Sequence, residues 1–87
     1  MWIIDTETVT EGSDMESRVG WTSPDYKEGA ELKFKFRMLD DDGEVYYTGR
    51  SDDNASEAAF DPLDDLGTPD AGATTIQYKN GNKWETL

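Results

Sequence analysis

The run ELKFKFRML (Glu31–Leu39) constrains the fold more than any other part of the chain. Leu32, Phe34, Phe36 and Met38 recur with period two, and Lys33, Lys35, Arg37 and Leu39 fall between them. A helix at 3.6 residues per turn would mix these two sets, whereas a strand sends them to opposite faces. The stretch therefore reads as a strand with one face in a core.

EVYYTG follows after Asp41-Asp42-Gly43, which suits a three-residue hairpin loop closed by glycine. This loop pairs Asp40 with Glu44, Leu39 with Val45, Met38 with Tyr46, Arg37 with Tyr47 and Phe36 with Thr48. The C-terminal TTIQYKNGNKWETL reads as a second hairpin. A two-residue Asn80-Gly81 loop would set Tyr78 against Lys83. A three-residue loop, Asn80–Asn82, sets Tyr78 against Trp84 and is preferred because it gathers the apolar residues on one face.

WIIDTETV is strand-like from Trp2 to Val9, and SRVGWTS reads as a short further strand ending at Pro24. Between the two hairpins, Ser56–Phe60 suits one helical turn. Asp61 then caps a turn opened by Pro62 and ended by Gly67. Phe60, Leu63 and Leu66 are expected to cover the sheet, and Thr68–Ala73 to form a loop. The expected fold is mostly β (α+β). It is one domain spanning residues 1–87, with an antiparallel sheet of 4–6 strands built from hairpins and one short helical crossover around residues 56–66.

Ten aromatic residues make such a core feasible although hydrophobic residues are only 34% of the chain. No cysteine is present, so disulfides and thiolate–metal sites are excluded. MWIIDTETVT has no basic stretch and meets Asp5 after three apolar residues. It is read as strand and not as a signal peptide, and the expectation is a cytoplasmic protein.

With no histidine or cysteine, charge-relay triads, thiol nucleophiles and the common zinc sets are unavailable. A non-catalytic protein without cofactor or metal is expected. DDDGE resembles a calcium loop only superficially. Aligning Gly43 with the loop glycine puts Met38 and Gly49 at the first and last ligand positions, where oxygen donors are needed.

The net charge is −12, from 20 acids against 8 bases. Direct binding to nucleic acid or an anionic membrane is disfavoured, and basic partners are favoured. Asp40, Asp41, Asp42 and Glu44, then Asp52 and Asp53, then Asp61, Asp64, Asp65 and Asp70 hold ten of the twenty acids, with Arg50 the only base among them. On one surface they would imitate a stretch of nucleic-acid backbone. The expectation is an acidic binding protein that blocks a nucleic-acid-binding partner by charge mimicry. Small acidic inhibitors of restriction enzymes and CRISPR effectors, encoded by phages and mobile elements, work in this way; the likeness is of size and charge class alone.

The alternative is a small structural or protein-interaction domain that contacts its partner through an aromatic sheet face or edge and is acidic only for solubility. Trp21 and Tyr26 are its candidate anchors, and Trp84 is assigned to the core. Lys33, Lys35 and Arg37 are expected to neutralise acids on neighbouring strands, with Arg37 over Tyr47.

Overall fold

The computed structural model describes residues 1–8 and 18–87, with residues 69–71 as backbone only. Five strands form one antiparallel sheet: β1 (Trp2–Glu7), β2 (Phe34–Leu39), β3 (Val45–Ser51), β4 (Thr75–Asn80) and β5 (Lys83–Thr86). Their spatial order is β1-β3-β2-β4-β5. β3 and β4 both run antiparallel to β2 and flank it, so the chain must cross one face of the sheet to pass between them. The helical segment makes this crossing and covers the core.

That core is the inner face of the sheet, where Trp2, Ile4, Phe36, Met38, Tyr47, Ile76 and Tyr78 are buried against Ala59, Leu63, Leu66 and Ala73. Burying a leucine such as Leu66 contributes about 1.5–3 kcal/mol. The Tyr78 hydroxyl donates to the Ala59 carbonyl at 2.7 Å, tying the crossover to β4. Burial pushes this phenol up to about 12, so it stays a donor over the ordinary pH range.

The expected β2–β3 register holds at the tip, where Leu39 faces Val45 and the Asp40 amide donates to the Glu44 carbonyl. A bulge at Tyr46 then shifts the pairing by one. Met38 faces Tyr47, Arg37 faces Thr48 and Phe36 faces Gly49, in place of the expected Tyr46, Tyr47 and Thr48. The shift has two steric reasons. It takes Tyr47 into the core, and it places a residue without a side chain over Phe36. A Cβ on Gly49 would lie 2.5 Å from Phe36 Cζ and closer still to the Ile3 carbonyl oxygen.

The C-terminal hairpin corrects both registers weighed from sequence. Asn80 pairs with Lys83 and Lys79 with Trp84, leaving Gly81-Asn82 as a two-residue loop. Gly81 has φ +63°, and among the described residues only glycines take positive φ, so Asn82 has negative φ, the sign pattern of a II′ turn with glycine first. Trp84 therefore leaves the core for the outer face. There the Arg37 guanidinium lies 4.4 Å from its ring centre, and not over Tyr47.

The crossover is longer than expected. A 3-10 turn, Glu57–Phe60, is capped by the Ser56 hydroxyl rather than leading into an Asp61 cap. A wide π-type helix, Leu63–Ala71, then runs through Gly67 and ends at Gly72, so the Thr68–Ala73 loop is largely helix. Gly67 is not a terminator but a point of close approach, since a Cβ there would lie 2.7 Å from Met38 Sδ. Phe60 is exposed, and Ala59 and Pro62 take the buried place expected for it.

β1 spans Trp2–Glu7; Val9 and Ser17 lie outside the described residues. Within the expected SRVGWTS strand, residues 18–23 instead form a loop along the free edge of β1, with one bridge between Ile3 and Thr22. The Ile4 amide donates to the Trp21 carbonyl and the Ser23 amide to the Trp2 carbonyl. This loop shields one sheet edge. At the other edge, β5 is short and polar. No helix among the described residues is long and apolar enough to cross a membrane.

Candidate functional site

Nine of the ten carboxylates singled out from sequence have described side chains, and they fall into two groups. Asp40, Asp41, Asp42 and Glu44 occupy the β2–β3 tip. Asp52 and Asp53 lie just past the far end of β3, and the crossover begins beside them. Six residue steps along β3 separate the two places, roughly 20 Å. The side chain of Asp70 lies outside the described part of the chain.

At the tip, Asp40 is committed to the turn. Its Oδ1 accepts from the amides of Asp42 and Glu44 at 2.9 Å, and its Oδ2 accepts from the Tyr46 hydroxyl at 3.0 Å. The Glu44 amide leads the contacts that hold this carboxyl below the usual range. Asp41 accepts from the Thr74 hydroxyl at 2.7 Å, so it joins the tip to the start of β4. Asp42 and Glu44 are exposed. Among the described residues, neither side chain has a partner.

The second group is also partly structural. Asp53 accepts from the Ser56 hydroxyl, and from the Ser56 and Ala55 amides at 2.9 Å each. These bonds, the Ser56 hydroxyl first, pull its carboxyl down to about 2. Asp52 binds the N-terminal amine at 2.8 Å, and Asp25 approaches the same amine at 3.7 Å.

Asp61 behaves oppositely. Partial shielding of its carboxyl raises it above the usual range, and the charges of Asp65, Asp64 and Asp25 add to the shift. Asp61, Asp64, Asp65 and Asp25 thus share one electrostatic neighbourhood, with Asp52 linked to it through the amine. The sequence reading missed Asp25 because it lies fifteen residues upstream of the nearest acid in the run Asp40–Asp70. Only the position of the N-terminus brings it in.

Trp21 is 47% exposed and lies beside the Arg18 guanidinium on the loop that shields β1. Tyr26 is half-buried. Neither adjoins the tip. Among the described residues, no group of three acids could hold a metal ion. The arrangement offers charge and hydrogen-bond acceptors. No protein family, characterised protein or solved structure matches the chain.

Proposed function

We propose that this chain is a non-catalytic binding protein that presents Asp61, Asp64, Asp65 and Asp25, together with Asp42 and Glu44 of the tip, to a basic partner of the nucleic-acid-binding kind. The supporting observation is the carboxyl of Asp61, raised first by partial shielding from water and then by the crowded charges of Asp65, Asp64 and Asp25, against the opposing N-terminal amine. Such crowding costs stability in the free protein and is relieved when a cationic surface docks.

The tip and the far end of β3, beside which the crossover begins, lie roughly 20 Å apart, about six steps of a nucleic-acid strand at 3.4 Å per phosphate. A partner groove that accepts duplex could engage both. This makes the protein an inhibitor by occupancy, of the anti-restriction or anti-CRISPR kind.

The test is affinity capture at about 0.1 M and 0.5 M salt, a range over which phosphate-like contacts weaken steeply. A captured nucleic-acid-binding protein should be released by added duplex. Changing Asp42, Glu44, Asp64 and Asp65 to lysine should abolish capture, since none of the four holds a turn. Undiminished capture by a folded quadruple variant would refute the reading.

A further inference from the structure

The outer face of the sheet runs against the charge of the rest of the molecule. It carries Lys35, Arg37, Arg50 and Lys79, half of the chain's eight bases. Two adjacent cross-strand rows on this face are built differently.

In the first row, the register sets Thr6, Thr48, Arg37, Gln77 and Thr86 side by side across all five strands. The side chains bond to one another along it. Thr6 meets Thr48, Arg37 Nε donates to Gln77 Oε1 at 2.7 Å, and Gln77 Nε2 donates to Thr86 at 3.0 Å. Arg37 also covers the Trp84 ring. The row satisfies itself.

The next row reads Arg50, Lys35, Lys79 and Trp84. Arg50 is neutralised by Asp5, which a bulge in β1 brings within 2.9 Å. Lys35 and Lys79 are not neutralised. Continuing the β2–β4 register by one step sets them directly opposite each other, an unfavourable placement for like charges. Among the described residues neither has a carboxylate partner. Among the described residues, Lys33 pairs with Glu31 of its own segment, at 3.9 Å. Among the described residues, the expected neutralisation by acids on neighbouring strands is therefore absent at Lys33, Lys35 and Arg37, in a chain with twelve more acids than bases.

Lys35 and Lys79 flank a groove of about 290 Å³ lined also by Asp5, Phe36, Thr48, Gly49 and Trp84. The Phe36 ring is buried on the inner face, so the Trp84 ring supplies the aromatic wall of the groove. Two cations beside a wall of aromatic carbon make a site for a compact ligand with an anionic head and a planar ring.

From this geometry we infer that the groove binds a small organic anion bearing an aromatic ring. The carboxylate or phosphate lies between Lys35 and Lys79, and the ring lies against Trp84. Asp5 at the other end keeps negative charge to the lysine side. The net charge of −12 works against a longer polyanion that would overrun the groove. This inference concerns a different face and does not rest on the role proposed for the acids.

Titration followed by amide and indole NMR shifts tests it, with adenosine 5′-monophosphate and indole-3-acetate as probes of the two anion types. One or both should shift the Gly49 amide and Trp84 indole saturably. Adenosine and inorganic phosphate, each lacking one half of the ligand, should bind about tenfold more weakly. Lys35→Gln and Lys79→Gln should each weaken binding about tenfold, whereas Lys27→Gln in the distant loop should not. Trp84→Leu should erase the preference for a ring over inorganic phosphate. The inference fails if no probe saturates, if adenosine binds as well as its monophosphate, or if folded lysine variants bind like the parent. It also fails if a single-stranded oligonucleotide binds more tightly than the monophosphate, which would make the face a nucleic-acid surface.

Discussion

Gly49 shows how one residue without a side chain sets a register. Nothing in EVYYTGR marks it as special, and strict alternation puts Thr48 opposite Phe36. The structure puts Gly49 there because the neighbouring backbone and ring leave no room for a Cβ. The clash is with the Ile3 backbone and an enclosed ring, neither of which can move freely. Gly49→Ala is therefore expected to cost about 3 kcal/mol, the upper end for overpacking. Gly67→Ala meets the flexible Met38 thioether and gains helix propensity, so it should cost no more than about 1 kcal/mol. Urea denaturation of both variants checks the contrast, and equal losses would show that the Ile3 and Phe36 contacts do not set the cost.

At the scale of elements, period-two alternation made β2 legible, because one of its faces is apolar throughout. The C-terminal hairpin was less legible for a physical reason. Asn80-Gly81 is a strong turn signal, and three overlapping loops can use its glycine. Apolar matching favoured Tyr78 opposite Trp84. The loop that forms sends Trp84 outward, and the guanidinium contact with Arg37 compensates for the lost burial. Gly81→Ala should cost about 1–2 kcal/mol, the penalty for a left-handed backbone with a Cβ. Gly81→Asn should cost less, since asparagine enters this region more readily. Thermal melts of the two variants test the turn. NOEs from the Trp84 indole to Arg37 and Lys79, and not to Tyr78, test the register.

The crossover was legible in its position but not in its length. Pro62 and Gly67 look like start and stop signals, yet the wide helix continues to Ala71 and Gly67 faces Met38 inside it. Its entry depends on Asp53, whose carboxylate organises Ala55 and Ser56. Asp53→Ala should therefore destabilise the protein more than Asp53→Asn, which retains an oxygen acceptor for the two amides. Equal losses in urea denaturation would show that the acceptor is not what matters.

For the whole molecule, the sequence displayed the amount of charge but not its arrangement, which depends on the crossover and on the place of the N-terminus. Asp53 and Asp61 have carboxyl pKa values shifted in opposite directions, which gives the acid limb of stability two parts. Asp61 in the folded protein lies above the ordinary 3.8, so the native state holds that proton more tightly than the unfolded chain. Its ionisation opposes folding, and stability rises as pH falls through its folded value. Asp53 lies at about 2, so its contribution is complete above the unfolded value and is lost as pH falls from 3.8 towards 2.

Asp61→Asn should therefore raise Tm at pH 7 by about 2 °C. Adding about 0.3 M NaCl should raise the Tm of the parent, through screening of like charges, and raise that of Asp61→Asn less. Asp53→Asn should flatten the loss of stability between pH 3.8 and 2 and leave the salt response unchanged. Melts of the three proteins across pH 2–7 at two salt concentrations separate these effects. If Asp61→Asn melts no higher than the parent and responds equally to salt, the crowding around Asp61 carries no strain. A docking partner would then gain nothing by relieving it, and the mimicry reading would lose its support.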